Sequence, residues 1–160
     1  MKAWYFSTGD KRLRYGDDRK IRAGVTHKIK GDPECCYNGL HGSVSILDAL
    51  QYAPGNHIWR VELSGDMDRN DDKIAATERK YLWGYDAAEV LRKFARMCAL
   101  DVIHLWDAPE VVVRYLKTGD EGIRDAAWAA ARDAARDAAW DAARDAQSRR
   151  LYRMIMEERK

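Results

Sequence analysis

Apolar and polar positions alternate most regularly over IWRVELSG. There Trp59, Val61 and Leu63 fall on one parity, and Arg60, Glu62 and Ser64 on the other. A period of two with one apolar face is the pattern of a half-buried strand. AWYFST (Ala3 to Thr8) is a second strand, aromatic and closed by Gly9-Asp10, and a short one is expected from Val25 to Ile29 before the break at Gly31-Asp32-Pro33. TERKYLWGY reads as a further strand with Tyr81 and Trp83 on one face, and GDMDRNDDK between the two longer strands reads as a polar loop.

Two serines then precede a short apolar run. Ser43 or Ser45 caps a helix to Ala53, Ser45 with Asp48 fits a capping box, and Pro54 ends the run. After residue 85 the period changes. Asp86-Ala-Ala-Glu89 matches a second capping box, opening a helix whose Val90, Leu91, Phe94, Met97 and Cys98 recur at helical spacing. Asp107-Ala-Pro-Glu110 repeats that grammar, with Gly119 just past the end. Asp101 to Trp106 is a short buried strand or a helix continuation, and His104 and Cys98 read as core residues.

From Arg124 to Ala146 a four-residue unit repeats: RDAA, WAAA, RDAA, RDAA, WDAA, RDA. Alanine has the highest helix propensity, so a helix of roughly 55 Å is expected from Gly122 to the end. Four residues advance about 400°, so no stripe stays on one face and the tail is no heptad coiled coil. Asp133 with Arg136 and Asp141 with Arg144 are supporting ion pairs, while Trp128 with Arg132 and Arg136 with Trp140 have cation–π spacing. Asp133, Asp137, Asp141 and Asp145 form an opposing like-charge row. The expected fold is therefore α+β: a small antiparallel sheet in the N-terminal half packed by helices, plus a long Ala-rich C-terminal helix. The expected domains are 1–120, globular, and 121–160, the repeat helix.

Composition narrows the function classes. At 160 residues, 46% of them hydrophobic, the chain can bury one real core. A net charge of only +2 gives no global drive toward nucleic acid or a membrane. No apolar run approaches the roughly 20 residues that span a bilayer, and three cysteines make no disulfide framework, so a cytoplasmic protein is expected. Charge is uneven locally. Lys11 to Lys30 holds eight Lys or Arg against two acids, and Glu62 to Asp72 holds five acids against Arg69. The first is a solvated loop or a contact patch for phosphate or an acidic partner.

Metal sites find no complete ligand set. Taking Asp66 as the first position of a calcium loop puts Asp71 where glycine is required and Thr77 at the last ligand position. Cys35, Cys36, His27 and His41 lack the spacing of a zinc site. No Gly-x-Ser-x-Gly elbow or Walker loop is present. His41, on a bare turn before the serine cap, faces a helix start suited to anions, and Tyr52 stands on that helix's last turn.

GLHGS, DALQYAPG, RVELSG, DDKIAATERKYLW and DAAEVLRKFAR, in that order, resemble an uncharacterised family of small phage and prophage proteins over about residues 1 to 120. The resemblance implies an accessory role in a phage setting, such as binding and disabling a host defence complex, as anti-CRISPR proteins do. A more distant resemblance is to ADP-ribosyltransferases, carried by GLHGSVSILDALQY followed by IWRVELSG. It implies NAD as cofactor, Tyr52 stacked on nicotinamide, and Glu78 as catalytic carboxylate with Glu62 competing. The first strand has neither the His-Gly nor the arginine those enzymes use. The leading expectation is a cofactor-free binding protein for a host or phage macromolecular complex, in the host cytoplasm. Its contacts would be Arg12, Arg14, Arg19, Lys20, Arg22, Lys28 and Lys30, or Trp128, Arg132, Arg136 and Trp140. The alternatives are the NAD enzyme, with Tyr52, Glu78 and His41 as its candidates, and a nucleic-acid module. The tail helix is a candidate for self-association.

Overall fold

The computed structural model describes residues 1–134. The chain divides into two compact units, Met1–Leu91 and Arg92–Lys160. The fold is α+β, with an antiparallel sheet in the N-terminal half and helices after it.

The sheet is built around two long strands, β4 (His57–Arg69) and β5 (Ile74–Asp86), joined by a tight turn. β1 (Lys2–Ser7) lies along the outer edge of β4, while β2 (Thr26–Lys28) and β3 (Leu40–Gly42) share the outer edge of β5. Beyond β3 the chain reaches β1: the Trp4 N–H donates to Ser43 O at 2.7 Å and the Ser43 N–H donates to Trp4 O at 3.0 Å. The sheet thus curls back on itself. Small residues permit this, because a Cβ at Gly39 would lie 2.6 Å from the Ala75 Cβ, and one at Gly42 would lie 3.1 Å from that of Ala3.

The alternation of IWRVELSG holds: Trp59, Val61 and Leu63 are buried with Ala3, Leu40, Ile74, Ala76 and Tyr81. Each fully buried Val or Leu contributes about 1.5–3 kcal/mol. The Trp59 Nε1–H donates to Ser7 Oγ at 3.0 Å, satisfying the indole inside the core. A second cluster forms where α1 (Ile46–Gln51) covers the sheet, with Ala49 against Phe6, Ile58 and Ala87. Ser45 is the N-cap and accepts from the Asp48 N–H, as its spacing predicts.

Four expectations need correction. GDMDR is strand, not loop: β4 continues to Arg69 because a bulge at Gly65 (φ 76°) absorbs the extra residue and keeps the ladder. Tyr81 and Trp83 face opposite sides. Arg60 pairs with Trp83 and Val61 with Tyr81, leaving Leu82 as a second bulge that flips the parity. Asp101 to Trp106 contains a 3-10 turn, Ile103–Leu105, and His104 in it is exposed. Cys98, in α2 (Ala88–Asp101), is exposed as well.

The second unit holds most of α2, then α3 (Glu110–Thr118), which Gly119 ends in the left-handed conformation (φ 68°) with its N–H on Tyr115 O. Residues 124–134 are helical, the first part of the Ala-rich repeat. The remaining repeats, with Arg136, Trp140, the Asp137, Asp141 and Asp145 row and the Asp141–Arg144 pair, lie outside the described residues.

Candidate functional site

Within the first unit, β1, β3, α1 and the loops around residues 15 and 37 line an open cavity of about 750 Å³. Its most unusual wall residue is Arg79, in the middle of β5 and only 2% exposed. Arg79 shares its parity with Tyr81, so the strand directs both side chains inward, and the neighbouring Glu78 and Lys80 fall on the other parity.

The guanidinium is held on three sides. Nε and Nη2 donate to the Tyr81 Oη at 3.0 and 2.6 Å, and Nη1 donates to the His41 carbonyl at 2.5 Å. The Tyr5 ring lies against it, 3.7 Å from centroid to Cζ. A guanidinium carries five N–H groups, so one remains on each terminal nitrogen. Among the described residues no carboxylate forms an ion pair with Arg79. A buried charge without a counter-charge is expensive to keep.

The hydrogen-bond network assigns protons behind Arg79. Tyr81 Oη accepts from Nε and Nη2, so its own O–H points to His27 Nδ1 at 3.2 Å. Nδ1 is then an acceptor and His27 is neutral. Burial first, then the Arg19 and Arg79 charges, hold the His27 pKa below its ordinary value. Burial also raises the Tyr81 pKa, keeping the phenol protonated.

His41 lies on the cavity wall in β3, where its Nε2 accepts from the Cys36 N–H at 3.2 Å. Burial, Arg79 and Lys73 together lower its pKa. Tyr52, at the end of α1, also lines the cavity; its Oη bonds the Asp72 carboxylate, which raises its pKa, and Lys73 Nζ sits 4.5 Å from its ring centroid. Lys73 Nζ also reaches Cys36 Sγ at 2.8 Å, the main reason its pKa is raised. The lining therefore carries Arg79, Lys73 and Arg14 as cations, and its one carboxylate, Asp17, is claimed by Arg19 at 2.6 Å. An anion is the ligand this arrangement favours.

The structure brings Tyr52 and His41 to one cavity but not Glu78. That carboxylate takes Lys28 Nζ at 2.6 Å and the Ser64 hydroxyl at 3.2 Å, and Lys28 chiefly lowers its pKa. Glu62 is an exposed β4 residue on the parity opposite Val61 and Leu63. Of the basic segment, Arg14 joins the cavity, Arg12 bonds the Asp18 carbonyl, and Arg19 and Lys28 are paired with acids. Lys20, Arg22 and Lys30 are exposed. Trp128 and Arg132 are exposed in the second unit. Cys35 is buried, its N–H on an Asp68 carboxylate oxygen, while the adjacent Cys36 turns outward at φ 76°. Sequence reasoning missed Arg79, Tyr5, Lys73 and the His27–Tyr81 pair. The available signal was an arginine on the inward parity of TERKYLW.

Fold and site define a small α+β domain with an aromatic, cationic cavity. The chain belongs to the DUF7666 family, described as a domain of unknown function, whose model matches residues 11–93 and so spans the cavity-forming loops, β2 to β5 and α1. No curated protein and no solved structure matches it.

Proposed function

We propose that this domain is a binding module that captures an anionic group in the Arg79 cavity. The observation that carries this is the unpaired, 2%-exposed guanidinium on the cavity wall, oriented by Tyr81, His41 and Tyr5. Such a group binds phosphate or carboxylate at low entropic cost, because its rotamer is already fixed. Pyrophosphate at low salt is the direct probe. At a hundred times its Kd, a ligand specific to the folded state adds about 2.7 kcal/mol to stability. A melting temperature unmoved by millimolar phosphate, pyrophosphate and sulfate would remove the reading.

A second reading is contact with a host or phage macromolecular complex, the accessory role that the motif resemblance implies. Lys20, Arg22 and Lys30 favour it, being exposed with no carboxylate partner among the described residues. It requires a complex that weakens steeply with salt; retention of the complex at high salt after all three are changed to alanine would defeat it.

A further inference from the structure

Resting on the anion-binding reading, we infer that the ligand is a phosphomonoester carrying a flat aromatic group, of the nucleoside 5′-monophosphate class. The phosphate would sit on Arg79 and the ring against Tyr15 and Tyr37.

The cavity has two chemically distinct zones. Its wall includes Arg79, which keeps two N–H groups without a protein acceptor, with Lys73 and Arg14 also on the lining. A phosphomonoester is close to a dianion at neutral pH, so one arginine leaves it half compensated, and a second cation on the lining completes the charge. The remaining zone is aromatic and open. Tyr15 is 93% exposed and Tyr37 is 85% exposed, yet both line the cavity.

Other aromatic rings on the lining are already occupied, Phe6 by the second core cluster. Tyr5 carries Arg79, Trp4 carries the Arg60 guanidinium and the edge of Trp83, and Tyr52 carries Lys73. Tyr37 has no ring or cation contact among the described residues, and Tyr15 is covered only by the Arg14 guanidinium at 4.9 Å. Tyr15 is also held at φ 63°, a conformation that a glycine would adopt without strain. A large aromatic ring in that position, beside an anion site, suits a stacking surface. The volume of about 750 Å³ lies within the range of small-molecule sites and accommodates head and ring together.

Titration calorimetry of the full chain at low salt tests this with four probes: AMP, ribose 5-phosphate, adenosine and pyrophosphate. AMP is expected to bind at least about ten-fold more tightly than ribose 5-phosphate, since base stacking on an aromatic side chain is worth that much. The Tyr15→Ala/Tyr37→Ala variant should bring AMP to the level of ribose 5-phosphate and leave pyrophosphate unchanged. Both tyrosines are exposed, so this variant keeps the fold. Arg79→Lys should weaken both phosphomonoesters at least ten-fold; if it fails to fold, competition between pyrophosphate and AMP for one site replaces it.

Equal affinity for AMP and ribose 5-phosphate overturns the aromatic part and leaves the anion site standing. AMP affinity unchanged in the tyrosine variant does the same. Failure of pyrophosphate and both phosphomonoesters to bind overturns the anion site itself. Adenosine binding as tightly as AMP overturns the placement of the phosphate on Arg79.

Discussion

Acidification should destabilise the first unit well before its carboxylates titrate. Three histidines, His27, His41 and His57, have pKa values lowered in the fold, each with burial as the first cause. Their charged surroundings act mostly in the same direction: Arg19 and Arg79 outweigh Asp17 at His27, Arg79 and Lys73 face His41, and Lys11 outweighs Asp86 at His57. Each also has a structural reason to stay neutral. His27 must accept from Tyr81, His41 must accept from the Cys36 N–H, and His57 Nε2 is buried without a partner.

A histidine whose folded pKa lies below its unfolded one binds its proton more readily when unfolded. Stability is therefore fully present above the ordinary value of 6.5 and is lost as pH falls through the folded values. One proton taken up on unfolding gives a slope of about 1.4 kcal/mol per pH unit, so the three together set a ceiling of about 4 kcal/mol per unit. Asp17, Asp68 and Glu78 have lowered pKa values too, but their stabilisation is lost only below their ordinary values of 3.8 to 4.5. Between pH 6.5 and 5 the slope belongs to the histidines. Total stability of about 5–15 kcal/mol is usual, so the loss shows as a falling urea midpoint between pH 6.5 and 5. Urea unfolding followed by far-ultraviolet circular dichroism, at half-unit steps from pH 7.5 to 5, measures it. His57→Leu should reduce the slope by about a third. A free energy that stays level or rises on acidification would refute the neutral-histidine account.

Further outcomes follow from packing and access. Gly84→Ala should cost about 1–3 kcal/mol, because its Cβ would lie 2.4 Å from the Trp59 ring and 2.6 Å from the Ile58 carbonyl oxygen; an unchanged urea midpoint would contradict this close approach of β4 and β5. Ser45→Ala should cost about 0.5 kcal/mol, the low end for an N-cap, since its bond to the Asp48 N–H is 3.4 Å long. Iodoacetamide should alkylate Cys36 and spare Cys35, whose thiol is buried and has a raised pKa; equal labelling by peptide mass mapping contradicts the divergence of the two side chains.

How much of this could be read from the chain follows from what each signal measures. Alternation reports burial on one face, so the inward face of Trp59, Val61 and Leu63 is legible in the sequence. Caps report local hydrogen bonds, so Ser45 and Gly119 were legible too. Bulges shift parity without changing composition, and that is why Leu82 separated Tyr81 from Trp83 and why GDMDR looked like loop while Gly65 let it remain strand. The site failed to show for a related reason. Only its inward parity in TERKYLW sets Arg79 apart from the solvated arginines around it, and its burial depends on Gly39, Gly42, Ala75 and Ala76 letting β3 cross close to β5 and β1. Those small residues form no motif. Their effect is to bring the His41 carbonyl, 38 positions away, to the Arg79 guanidinium. His41 itself stood out as a ring on a bare turn, yet the atom that touches Arg79 is its carbonyl oxygen. What the turn supplies to the cavity is a backbone acceptor that aims a cation, and any residue able to hold that backbone beside Ala75 would supply the same acceptor.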